Sequence, residues 1–158
     1  MQRSARSKTA PAETRLDDWR ERVSDAYFEL DLEYADPDHF DGRIVTFDLD
    51  GVALSWLKSD PLRYRRLASH VGTDVDESFL LTVPDQAPIR FSQRGRTTIC
   101  GPGSFTLERS GEPYEFSYSE RNLLRVLKIP APLLRRRIGT PDRLCAMRFD
   151  AHTGAGAL

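Results

Sequence analysis

Residues 91–118, FSQRGRTTICGPGSFTLERSGEPYEFSY, reverse direction three times within a stretch too short to hold helices between the turns. Arg94-Gly95 has hairpin chemistry, Gly101-Pro102-Gly103 turns the chain again, and Gly111-Glu112-Pro113 turns it a third time. The runs between them, residues 96–100, 104–108 and 114–118, have the length of sandwich or barrel strands. The stretch reads as a β-meander, and a chain built around it is committed to many short antiparallel strands.

The flanking sequence extends the pattern. Residues 43–49 alternate, Asp50-Gly51 makes a tight turn, and residues 52–58 form a second strand, giving a hairpin. Residues 64–69, 78–83 and 89–93 are further strands, and residues 122–129 close the series before Pro130. Two helices frame them. From Asp17 onward Trp19, Val23, Ala26, Tyr27 and Leu30 recur at helical spacing, capped by Asp17 or Asp18 and broken at Asp36-Pro37-Asp38. Residues 131–138 form a short helix with Pro132 in its first turn and Gly139 after its end. The fold expected is mainly β: a cupin-like or jelly-roll antiparallel β-barrel with an N-terminal amphipathic helix and a short C-terminal helix.

Composition narrows the function. A chain of 158 residues has one ordinary core. A formal net charge of −1 provides no global basic field for nucleic acid. Arg135-Arg136-Arg137 is the densest basic run, and without stacking aromatics it reads as a solvated helix face. Cys100 and Cys145 lack CxxC spacing and read as reduced, buried small hydrophobes. The first residues, MQRSARSKTAPAE, are basic but lead into no apolar segment, so residues 1–14 are expected as a disordered arm and the protein as cytoplasmic, with no membrane partner.

The order of motifs then becomes specific: Gln93-x-Gly95-Arg96 between strands, Gly101-Pro102-Gly103, a strand of alternating apolar residues, Pro113-Tyr114, an apolar run, Ile129-Pro130 and Leu133-Leu134. This order resembles the cupin-type sensor half of AraC/XylS-family bacterial transcriptional regulators, in particular the subgroup whose amino-terminal domain is called AraC-binding-like. In that family a helix with an early Trp, matched by Trp19, leads into a Phe-x-Gly strand, matched by Phe40-Asp41-Gly42, and a later aromatic-x-Arg step is matched by Tyr64-Arg65-Arg66. The resemblance covers about residues 17–150. It departs at Pro84-Asp85-Gln86, where the family usually turns with a Gly.

The resemblance implies a ligand-sensing domain at residues 15–150 and the start of an interdomain linker at 151–158. It further implies a small-molecule effector and a homodimer. DNA would be contacted only through a helix-turn-helix domain outside this chain, which is expected as a fragment or truncation of a longer regulator. The alternatives are a small cupin-fold enzyme and a stand-alone structural or interaction module.

Catalytic chemistry finds little support in the residues. His39, His70 and His152 are far apart and none forms HxH, so no metal and no other cofactor is expected. Ser55, Ser92 and Ser104 sit in no GxSxG context, and Asp48 and Asp50 read as a solvated pair at a hairpin end. The chain is therefore expected not to be an enzyme. A binding cavity lined by large inward residues is the better expectation, with Trp56, Phe79, Phe91, Phe105 and Tyr114 as candidate ligand-binding residues, alongside Leu81 and Ile99. Arg66 joins them because a charged side chain pointing inward either pairs with an internal carboxylate or awaits an acidic effector.

Overall fold

The structure, a computed structural model, describes residues 2–6, 11–72 and 76–152, the first of these segments by its backbone. Two antiparallel sheets face each other. Their strands are β1 (Gln2–Arg6), β2 (Asp31–Tyr34), β3 (Gly42–Asp48), β4 (Ala53–Ser59), β5 (Leu62–Arg66), β6 (Ser78–Pro84), β7 (Ile89–Gln93), β8 (Arg96–Cys100), β9 (Ser104–Arg109), β10 (Tyr114–Tyr118), β11 (Asn122–Pro130) and β12 (Phe149–Asp150). One sheet runs β1-β3-β4-β11-β6-β9-β12 and the other β2-β5-β10-β7-β8. Among the described residues no ladder closes the sheets into a barrel, so the cupin-like jelly roll takes the form of a sandwich.

Both predicted hairpins form, and their turns show why. Asp50 and Gly51 have φ of 59° and 94°, and Arg94 and Gly95 have φ of 55° and 73°. Two consecutive positive φ values match the right-handed twist of the flanking strands, which is the geometry two-residue hairpin loops require. The meander does not form. Among the described residues β8 pairs only with β7, β9 leaves for the other sheet to pair with β6 and β12, and β10 returns between β5 and β7. Turn chemistry marks where the chain reverses, but which edge a strand then joins is decided by its two faces, and β9 is buried on one and half-buried on the other.

The N-terminal region departs from expectation at three points. The segment expected as a disordered arm contains β1, paired along β3, and the start of α1 (Ala12–Ala26). That helix is capped at Pro11, six residues before the predicted Asp17 cap, with Glu13 in its first turn where the helix dipole favours an acid. Its end comes at Ala26, and Tyr27, Phe28 and Leu30 leave it to insert between the sheets. β2 follows where helix was expected. Its acidic residues look helical by composition, yet Asp31 and Glu33 lie opposite Arg65 and Arg63 across the β2–β5 ladder and pair with them. β5 itself is Leu62–Arg66 rather than residues 64–69.

Several motifs have a packing reason. Trp19 is buried against Phe40 with ring centroids 5.4 Å apart, and a Cβ placed on Gly42 would stand 2.7 Å from the Trp19 ring, so glycine is what lets helix and strand approach. Arg15 holds the same corner, donating to the carbonyls of Phe40 at 2.5 Å and Asp38 at 2.7 Å. Gln93 crosses between sheets, donating to Arg109 O at 2.7 Å and accepting from Arg109 N at 3.0 Å. The Pro84-Asp85-Gln86 turn is pinned by buried Asn122, whose side chain accepts from Ala87 N at 2.9 Å and donates to Ala87 O at 2.8 Å.

Beyond β11, α2 (Ala131–Arg137) and a 3-10 turn (Pro141–Leu144) fold back over the outer face of β6 and β9, where Ala131 and Cys145 meet Phe79 and Leu107. Arg135 is no free member of a solvated face: it reaches Asp142 at 3.1 Å and Glu77 at 3.3 Å, and lies over the Phe79 ring. Of the expected linker, residues 153–158 lie outside the described residues.

Candidate functional site

Side chains alternate across a strand, so strand register decides which residues face the space between the sheets. On the seven-stranded sheet the inward positions include Ser55, Ser59, Thr82, Thr106 and Glu108, all buried. The large apolar residues of β6 and β9, Phe79 and Leu107, point the other way, toward α2 and the 3-10 turn. The inner face of this sheet is therefore mixed, with a polar row set among Ile44, Leu57, Leu80, Leu124 and Val126, and at β6 and β9 its outer face has an apolar cluster of its own.

A cavity of about 30 Å³ lies between the sheets, walled by Tyr27, Tyr64, Tyr114, Phe116, Thr82 and Glu108 together with Leu30, Leu57, Leu80, Leu124 and Val126. Glu108 is only 3% exposed. The Thr82 hydroxyl donates to its Oε1 at 3.3 Å. Burial raises its pKa to about 7, against the opposing pull of hydrogen bonds from Tyr114 and Thr82. The carboxyl therefore changes charge near neutrality. One step along the same face of β9, the buried Thr106 hydroxyl has no hydrogen-bond partner among the described residues.

Tyr114 bonds the Glu108 carboxyl, and the other cavity tyrosines are held by hydroxyls. Tyr118 bonds Ser59, and Tyr64 bonds Tyr118 at 3.2 Å. Burial pushes the phenols of Tyr27, Tyr64 and Tyr114 upward and that of Tyr118 to about 12, so all remain neutral donors.

A wider pocket of about 390 Å³ opens at one end of the sandwich, bounded by the end of α1 at Ala26 and by Ile44, Thr46, Val52, Ala53 and Lys128. Tyr27 separates it from the inner cavity. Its hydroxyl and that of Ser55 share a hydrogen bond at 2.5 Å, and its carbonyl accepts from Lys128 Nζ at 2.5 Å. Ser55 lies opposite Thr46 of the mouth and Val126 of the cavity, so the Tyr27 ring stands where the two spaces meet.

The sequence-predicted residues distribute unevenly over this geometry. Tyr114 lines the cavity, and Phe91 packs beside it at 5.4 Å between centroids. Trp56 does not line it: the side chain is half exposed on the outer face of β4. Phe79 also faces outward, into the cluster under α2, and Phe105 stacks on Phe149 at the sheet edge. Ile99 is exposed on β8 and Leu81 packs in the outer cluster. Trp56 and Ile99 stand on solvent-facing sides of β4 and β8, and Phe79, Leu81 and Phe105 lie on the side of the seven-stranded sheet that the C-terminal region covers. Large apolar residues were read as inward, whereas α2 and the C-terminal segment give the outer face its own cover.

Arg66 is buried at the end of β5, donating from Nε to Ser110 O at 3.0 Å and from Nη1 to Glu29 O at 2.9 Å, with Phe28 beneath it at 4.6 Å. It ties the inserted segment after α1 to the β9–β10 turn. Glu108, Thr82, Tyr27 and Tyr64 were missed as site residues. The signal lay in the alternation of Ser104, Thr106 and Glu108, a polar row that forms the buried face of β9.

His39 is exposed beside Asp36 at 3.0 Å, His70 accepts from Leu67 N at 3.0 Å, and His152 lies near Gly103. Among the described residues no group of three His, Cys, Asp or Glu side chains converges on one point, and no helix is long and apolar enough to cross a membrane.

Known proteins place this architecture. The AraC-like transcriptional activator CuxR has the same fold, with a TM-score of 0.77 at 17% identity over 90% of this chain and 52% of that one. The transcriptional activator NphR of a Rhodococcus species is 26% identical over 89% of this chain and 43% of its own length. An uncharacterized protein in the nit 5' region of Bacillus sp. (strain OxB-1) is 25% identical over 93% of this chain and 57% of its own. The chain thus spans about half the length of the curated relatives it matches. The model of the AraC-binding-like domain matches residues 19–158. The Trp19–Gly42 contact, the two-sheet sandwich and this match agree: the chain belongs to the AraC-binding-like domain family.

Proposed function

We propose that this chain is the effector-sensing domain of an AraC-type transcriptional regulator, and that the effector is read between the two sheets. Glu108 carries the reading. A carboxyl that is 3% exposed and held by hydroxyls costs stability that a purely structural sandwich would avoid with an apolar residue. Its place beside a cavity with a wider mouth is the arrangement of a binding site, with a few polar groups fixing a ligand among apolar walls. The site binds rather than turns over its ligand. DNA contact and pairing of two copies belong, on this reading, to the longer regulators that the curated relatives represent, working in the cytoplasm.

Thermal melts against a chemically broad panel of small molecules test the proposal. At least one class should stabilise the domain saturably, by about 2.7 kcal/mol at a concentration 100 times its dissociation constant. Leu80→Phe, which fills the cavity, should remove that stabilisation. A panel without any saturable stabiliser, or stabilisation untouched by Leu80→Phe, overturns the reading.

A further inference from the structure

The wall of the inner cavity combines one carboxyl with several aromatic rings. Glu108 supplies the acid, and Tyr27, Tyr64, Tyr114 and Phe116 supply the rings. Ring faces carry negative charge density, and a carboxylate adds a full charge, so both components attract a cation. The hydrogen-bond partners of the carboxyl include the Thr82 hydroxyl, which satisfies an acceptor without neutralising it.

Size divides the site in two. The inner space of about 30 Å³ admits a group of one or two heavy atoms, while the mouth of about 390 Å³ admits a chain. Ile44, Val52, Ala53 and Pro130 give that mouth an apolar side. The charges around it are mixed: Asp25 and Asp48, with Arg22, which also pairs with Asp18 at 3.6 Å, and Lys128, which is bound to the Tyr27 carbonyl.

We infer that the ligand is a small organic ammonium, its charged head beside Glu108 among the tyrosine rings and its apolar remainder in the mouth past Tyr27. The inference rests on the sensing role proposed above and names the ligand class. The groups facing Glu108 are Thr82 from β6 and Tyr114 from β10, with Tyr27 and Tyr64 across the cavity, and none of these phenols ionises near neutrality. Because Glu108 alone among them titrates near pH 7, an arriving ammonium finds it largely protonated at pH 6. Binding then ionises the carboxyl and releases its proton to solvent.

Calorimetry on the 158-residue protein with n-butylammonium, 1-butanol and butyrate, at pH 6 and pH 9, tests this. Butylammonium should bind and raise the melting temperature while butanol and butyrate do not. It should release about one proton at pH 6 and almost none at pH 9, and bind about tenfold more tightly at pH 9. Glu108→Gln keeps the acceptor for Thr82 and should weaken butylammonium by about ten- to hundredfold. The proton count is measured on the unaltered protein and so does not depend on the variant folding. Butanol or butyrate binding in place of butylammonium overturns the ammonium class and leaves the sensing role standing. Ammonium binding without proton release at pH 6, or unaffected by Glu108→Gln, overturns the placement at Glu108. If neither these probes nor the broader panel binds, both inferences fall.

Discussion

Glu108 shows how one buried residue links stability to pH. Its ordinary value of 4.5 applies in the unfolded chain, and burial raises it to about 7 in the folded one. Between these values the folded protein keeps a proton that the unfolded chain has released, so stability falls as pH rises from about 4.5 to about 7. Above the folded pKa the loss is complete, on the order of 3 kcal/mol at about 1.4 kcal/mol per pH unit. Glu108→Gln should therefore melt higher than the parent at pH 8.5 and nearly with it at pH 4.5, as followed by circular dichroism. A variant that keeps the parent's full pH slope would assign that slope to other groups. In the sequence the alternation of Ser104, Thr106 and Glu108 carries the polar row but not the depth of its burial, since Leu107-Glu108-Arg109 reads as an ordinary strand end. Arg66 was legible as a buried charge, but not its ties to the carbonyls of Glu29 and Ser110, which are remote in sequence.

At the scale of elements, local chemistry was the most legible layer. Asp50-Gly51 and Arg94-Gly95 need positive φ values that few other dipeptides accept, so their hairpins could be read directly. β2 could not be, because its acidic residues are matched to arginines on a strand thirty residues away in sequence. The junction of α1 with β3 sits between these cases: Trp19 and Phe40-Asp41-Gly42 stood out as motifs, and the structure supplies their contact. Gly42→Ala places a methyl group 2.7 Å from the Trp19 ring, which is already fixed against Phe40. Urea denaturation should show a loss of about 1–3 kcal/mol. In a Trp19→Leu background, which removes the ring, the same change should cost much less, giving a measurable coupling energy. Equal costs in both backgrounds would mean that the glycine serves some other need.

For the molecule as a whole, fold class and nine of the twelve described strands followed from turn spacing, while β1, β2, β12 and the strand order did not. The error over which residues line the cavity came from the same source. Apolar size was read as inwardness, and the seven-stranded sheet keeps Phe79 and Leu107 for its outer cover. The resulting topology sets a hierarchy of local opening. β3, β4, β11, β6 and β9 are flanked on both sides, as are β5, β10 and β7, whereas β1, β12, β2 and β8 are edges among the described residues. Amide hydrogen exchange should be slowest in these flanked strands and fastest in the edges. Protection of β8 equal to that of β10 would show that an unseen partner covers the edge.

β9 belongs to both sides of its sheet. Glu108 faces the cavity, and its neighbour Leu107 bridges to Cys145 and accepts a hydrogen bond from Ala146 N at 3.0 Å. Consecutive residues on one backbone cannot move independently, so a shift that reseats the carboxyl tilts the ledge on which the last segment of the domain rests. The wall of the cavity and the floor under the departing chain are a single piece.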